Sequence, residues 1–261
     1  MSLLKVEHLR KSFGGVHAVD DVSFEVPSGH MMALLGPNGA GKSTCFNMLN
    51  GQLAPSSGSI RLDDQELVGM RPREIWRLGV GRTFQIAAVF NSMSVLENIQ
   101  MTLLSHENQL LRFIKPARKY HHDRAMELLA MVGMENQAER PCSVLAYGDV
   151  KRVELALAMA NSPRLLLMDE PCAGMAPHER NALMALTRRL VDEQNIAVLF
   201  TEHSMDVVFA FADSMLVLAR GSLIAAGNGD HIRNHPKVKE VYFGSGKSFE
   251  NRKPNSALAE H

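Results

Sequence analysis

The chain has 261 residues, 46% of them hydrophobic and 21% charged, and its 28 Lys and Arg are balanced by 28 Asp and Glu. That balance argues against a dedicated nucleic-acid binder, which carries a basic excess, and no run nears the roughly 18 apolar residues that cross a bilayer. Lys5, Glu7 and His8 stand where a signal peptide would be apolar, and three cysteines are too few for a disulfide framework, so a soluble, cytoplasmic chain of one large domain or two small ones is expected.

Taken in chain order, the first third is rich in strand signals. LLKVEHL, VSFEV, HMMALLG and SIRLDD read as strands, with Pro27-Ser28-Gly29 as a turn. Lys42 to Gly51 reads as a helix closed by glycine. From about Met93 to Val132 the pattern turns helical. Ser94 and Glu97 have capping-box spacing, and His121 to Met131 has helical periodicity. A second α/β stretch follows: helix over Asp149 to Ala160, strand over Leu165 to Met168, helix over Pro177 to Glu193. Strands over Ile196 to Thr201 and Met215 to Leu218 come next, and a turn at Arg220-Gly221. Such alternation marks an α/β fold. Ser245 to His261 is polar and without pattern, as a tail would be.

Two stretches carry chemistry. The first is GPNGAGKST, Gly36 to Thr44, which matches G-x-x-x-x-G-K-[ST] between an expected strand and an expected helix. A loop that wraps backbone N–H groups around phosphate needs small residues, here Gly36, Asn38, Gly39, Ala40 and Gly41. The helix start at Lys42 adds its positive dipole end. Lys42 would reach the β- and γ-phosphates, and Ser43, followed by Thr44, would ligate Mg²⁺. The second stretch is LLLMDEP, a buried strand ending in Asp169 and Glu170. In a parallel sheet that end is where ligands bind. Asp169 would hold Mg²⁺ through water, and Glu170 would act as general base toward an attacking water.

The two motifs, their order and the segments between them resemble the ATP-binding subunit of ABC transporters, over Leu3 to about Gly244. Within that family VGRTFQ, LAYG, LLLMDEPCAGMAP and VLFTEHSMDVVFAFAD look most like the ATPases of branched-chain amino-acid importers. The resemblance implies a P-loop NTPase fold: a RecA-like core, an N-terminal antiparallel β subdomain and an inserted α-helical subdomain over about 86–144. One such unit would fill 1–244, leaving 245–261 as tail. It further implies an ATPase using ATP and Mg²⁺. Phe13 would stack on adenine. Gln85 would contact Mg²⁺ or the attacking water, and His203 the γ-phosphate. Leu145, Ala146, Tyr147, Gly148 and Asp149 would act in trans, on ATP held by a second ATPase subunit, in a homo- or heterodimer. Two transmembrane permease subunits would hold the pair at the cytoplasmic face of the inner membrane, with a periplasmic solute-binding protein as an indirect partner and no nucleic acid. Other cargoes, such as urea, amides, aromatic acids or lipid, fit the same ATPase.

Two positions depart from the family pattern. Asp149 replaces a glutamine: it either supports the helix start behind it or repels the phosphate that the signature would face. Ala176 stands where an aspartate usually reaches across the dimer. Both allow a heterodimer with unequal sites, a weakly catalytic regulatory subunit, or nothing more than the style of the subfamily. Three apolar residues, Ile86, Val89 and Phe90, are either partner contacts or core. Cys45, close behind the phosphate loop, is either an activated thiol or a buried helix residue.

Overall fold

The computed structural model describes residues 2–83, 89–106 and 121–243. Gln85, Ile86 and the expected tail lie outside these residues. The strands are β1 (Ser2–Phe13), β2 (Val16–Pro27), β3 (Met31–Leu35), β4 (Ser57–Leu62), β5 (Gln65–Glu66), β6 (Val80–Thr83), β7 (Leu165–Asp169), β8 (Ala197–Thr201), β9 (Ser214–Ala219) and β10 (Ser222–Gly227). The helices are α1 (Lys42–Leu49), α2 (Pro72–Arg77), α3 (Val95–His106), α4 (His122–Met131), α5 (Tyr147–Met159), α6 (Pro177–Gln194), α7 (Met205–Phe211), α8 (Gly229–Asn234) and α9 (Pro236–Phe243).

Two sheets form. One is antiparallel, in the order β2-β1-β4-β5. The other runs β10-β9-β3-β8-β7-β6, with β9 to β6 parallel and β10 antiparallel at its edge. The fold is that of a P-loop NTPase. Its central strands are apolar throughout because both faces are covered, and the pleat sends alternate residues to opposite cores. Met31, Ala33, Leu35, Leu166, Met168, Val198 and Phe200 point to a core shared with α3 to α6. Met32, Leu34, Leu165, Leu167, Ala197 and Leu199 point to a second core, shared with α1 and the antiparallel sheet.

Between β6 and α5 the described residues form no strand, only α3, α4 and two short 3₁₀ turns at Glu135–Gln137 and Cys142–Val144. The capping box expected at α3 is present. Glu97 N–H donates to Ser94 Oγ (3.2 Å), and Ser94 N–H donates to Glu97 Oε2 (2.9 Å). Helix α5 starts two residues before the expected Asp149. Ala146 takes the extended cap conformation, so Tyr147 and Gly148 already belong to the first turn.

The site is positioned by strand ends. β3 leads into the loop Gly36–Gly41 and then α1, and the register of β7 on β8 pairs Asp169 with Thr201. The sequences MDEP and FTEH therefore finish side by side.

Candidate active site

The phosphate loop is shaped by its glycines. Gly36, Gly39 and Gly41 have φ of 153°, 78° and 104°, values that side chains disfavour. The backbone also runs close to its neighbours: a Cβ on Gly36 would stand 2.4 Å from the Leu218 carbonyl oxygen, and one on Gly41 2.4 Å from that of Ala18. Pro37, Asn38 and Gly39 form the exposed tip, while Ala40 is buried. Lys42 Nζ spans the loop, donating to the carbonyls of Gly36 (2.7 Å) and Pro37 (3.2 Å). Burial holds the Lys42 ammonium below the usual lysine range, and the nearby Glu170 and Asp169 partly offset this. Helix α1 has no side-chain cap and no acid in its first turn. Its leading N–H groups and the Ser43 hydroxyl are thus placed to meet an anion. Thr44 is half-buried beside it.

The carboxylates are held by the strand next door. The Thr201 hydroxyl donates to Asp169 Oδ1 (2.8 Å) and accepts the Glu170 N–H (3.0 Å). Glu170 has φ 49°, a strained value that is found at functional sites when the surroundings enforce it. Its Oε1 is hydrogen-bonded to His203 Nε2 at 2.8 Å. Glu202, only 7% exposed, accepts the Cys172 N–H on Oε1 (2.8 Å) and the His203 N–H on Oε2 (3.2 Å). It fixes the chain on both sides of the Glu170–His203 pair. Arg82, from β6, stands 3.6 Å from Asp169 Oδ2 and donates to Asn47 Oδ1 (3.1 Å) and Gln52 Oε1 (3.0 Å).

Thr201, Glu202 and Arg82 were not singled out from the sequence. The signal was there in part, since FTEH repeats the strand-end polarity of MDEP. Arg82 carried none beyond its place before Thr83.

The other expected residues lie further out. Phe13 is 50% exposed at the β1–β2 hairpin tip, so it is not a core residue; the Lys11 ammonium stands 5.1 Å from its ring centroid. In the stretch Leu145 to Asp149, Tyr147 is exposed and Gly148 buried. Contacts of this stretch run to the segment behind Glu170. A Cβ on Gly174 would stand 3.7 Å from the Tyr147 ring, and one on Gly148 2.9 Å from Glu179 Oε1. Ala176 caps α6 without a polar side chain, its N–H bonded to Glu179 Oε2 (3.0 Å).

The activated-thiol alternative for Cys45 is overturned. Its side chain is fully buried, and burial pushes the thiol up to about 12. Val89 packs partly on the first core, whereas Phe90 is 59% exposed. Among the described residues no cluster of three His, Cys, Asp or Glu could hold a metal ion by itself. The hard oxygens of Ser43 and Asp169 suit Mg²⁺ bound together with phosphate rather than in an all-protein cage.

Known proteins resemble this chain over most of its length. The family model described as ABC transporter matches residues 19–173. The high-affinity branched-chain amino acid transport ATP-binding protein BraF of Pseudomonas aeruginosa is 38% identical over 249 residues, covering 93% of this chain and 98% of that protein. The corresponding protein LivG of Escherichia coli is 38% identical over 252 residues, with the same coverage. Among solved structures, a nucleotide-free ATP-binding cassette from an ABC transporter superposes with TM-score 0.82 at 30% identity, covering 94% of this chain and all of that one. The ADP conformation of MJ1267, an ATP-binding cassette, gives TM-score 0.83 at 30% identity, covering 94% and 99%.

Proposed function

The chain belongs to the ABC transporter family, as one of its ATP-binding subunits, and from that premise we propose that it hydrolyses ATP to drive an importer of branched-chain or related amino acids. The cargo rests on the relatives, which are branched-chain amino acid transport proteins. The chemistry rests on one observation: a glycine-shaped loop with Lys42 faces the Asp169, Glu170 and His203 constellation.

In this reading the loop N–H groups and Lys42 bind the phosphates, and Phe13 stacks on the base. Ser43, Asp169 and Gln85 would hold Mg²⁺, which when bound neutralises charge on the transferring phosphoryl group. Glu170 accepts the proton of the attacking water, and His203 keeps Glu170 oriented and meets the γ-phosphate. Leu145 to Asp149 act on ATP held by a second subunit. The helical stretch between β6 and α5 receives two permease subunits, which place the chain at the cytoplasmic face of the inner membrane. Exposed Phe90 suits such a contact. No helix among the described residues is long and apolar enough to cross a membrane.

The test is nucleotide binding and turnover by the chain with its partner subunits. Glu170→Gln should keep ATP binding and lose at least about 100-fold in turnover, whereas Lys42→Ala should lose binding itself. Retained turnover in the first variant, or undiminished binding in the second, overturns the assignment.

A further inference from the structure

The phosphate loop is braced from outside by a turn to which neither the motifs nor the family comparison assigns a role. Strands β9 and β10 join through two residues only, since Ala219 pairs directly with Ser222. Arg220 and Gly221 have φ of 49° and 84°, the pattern of a type I′ hairpin turn. Gly221 makes two backbone hydrogen bonds beyond its own hairpin. Its N–H donates to the Ala40 carbonyl in the phosphate loop (3.1 Å), and its carbonyl accepts the Asp20 N–H on β2 (2.8 Å).

The fit around it is tight. A Cβ on Gly221 would stand 2.9 Å from the His17 oxygen and 3.1 Å from that of Ala18. The same Ala18 oxygen also closes on Gly41, and the Leu218 oxygen, on β9, closes on Gly36. His17 is paired with Ser12, next to Phe13, and Ser12 Oγ and His17 Nδ1 lie 2.9 Å apart. The turn therefore clips the loop to the one segment that carries Phe13.

We propose that Arg220–Gly221 is a positioning turn that fixes the Phe13 hairpin relative to the phosphate loop, so that base and phosphates are bound at once. Glycine-rich loops gain affinity when pre-organised, and a rigid spacing between two subsites makes the second contact intramolecular. The inference rests on the reading of the loop as phosphate cradle and of Phe13 as base contact. It assigns the turn no contact with nucleotide.

The experiment is calorimetric titration of the full chain, with Mg²⁺ present, using ATP and inorganic tripolyphosphate. Gly221→Ala should weaken ATP binding at least tenfold and tripolyphosphate binding less than threefold. Combined with Phe13→Ala it should cost no more than either change alone, because both remove the same base contact. Asp20→Pro removes the N–H that the Gly221 carbonyl accepts, together with the 3.8 Å ion pair of Asp20 with Arg10, and Asp20→Ala, which removes the ion pair alone, is its control. Asp20→Pro should repeat the pattern if Gly221→Ala does not fold. Equal losses for the two ligands, no loss for ATP, or additive losses with Phe13→Ala overturn the proposal. An unmodified chain that binds neither ligand overturns the nucleotide reading instead; one that binds tripolyphosphate as tightly as ATP removes Phe13 as base contact and the proposal with it.

Discussion

Cys45 shows how burial decides chemistry that position alone suggests. Helix N-termini and neighbouring lysines lower thiol pKa values, and Cys45 has both. Yet its side chain points into the second core with Phe46 and Leu49, and desolvation moves the thiol up, to about 12. Burial raises Cys142 and Cys172 as well. A folded-state pKa above the unfolded one means the native chain keeps a proton that the unfolded chain releases. That contribution is whole below about pH 8.5, the ordinary thiol value, and is lost as pH rises toward about 12 for Cys45. At pH 8 a disulfide reagent such as Ellman's should therefore find no fast-reacting thiol in the native protein and three in guanidinium, with no protection by ATP. One fast native thiol that ATP protects would restore the activated reading. Arg82 makes the converse point. Its guanidinium sits beside Asp169, where Mg²⁺ is expected, so a fixed cation already offsets the carboxylate.

At the scale of elements, α3 rests on a start signal written in the sequence. Ser94 and Glu97 satisfy each other's backbone N–H groups, and Asn98 adds bonds to the Phe90 and Ser94 carbonyls. Ser94→Ala should cost about 1 kcal/mol, a fall of roughly 2–4 °C in Tm for a chain of this size. Thermal unfolding followed by circular dichroism checks it, and an unchanged Tm would mean the cap adds nothing. The same contrast explains what was legible in the sequence. The capping box, the apolar strands before Gly36 and Asp169, and the 18-residue α6 stand out because pattern and length agree. Short elements did not. Strand β6 is VGRT, with a glycine where a Cβ would stand 2.7 Å from the Ala158 oxygen and an arginine turned to the site. Its reason to be a strand is pairing with β7, which no local pattern shows. Half the site was legible for the same reason. Gly36 to Ser43 and Asp169-Glu170 form contiguous motifs, whereas Thr201, Glu202 and Arg82 join them only through sheet register.

For the whole molecule the question is what a second subunit would meet. The signature stretch lies at the start of α5, with Tyr147 exposed. A bare helix N-terminus there favours an anion by about 0.3–1 kcal/mol. Asp149, in that first turn, supplies a charge of the opposite effect. On the proposed reading that carboxylate would face the partner's phosphate, and like charges brought together in a partly desolvated interface repel. On that reading ATP bound by the partner would be held less firmly by this chain than a glutamine would hold it. Ala176 gives no compensating polar contact from the segment behind Glu170. We expect Asp149→Gln, placed in the Glu170→Gln background so that ATP is not consumed, to raise ATP-dependent dimerisation about tenfold. Sedimentation velocity across a range of ATP and salt reads this directly, and the gain should shrink as salt screens the charge. In the assembled transporter the same substitution should raise ATP turnover. If neither dimerisation nor turnover changes, Asp149 faces away from the partner's phosphate and serves only the start of α5.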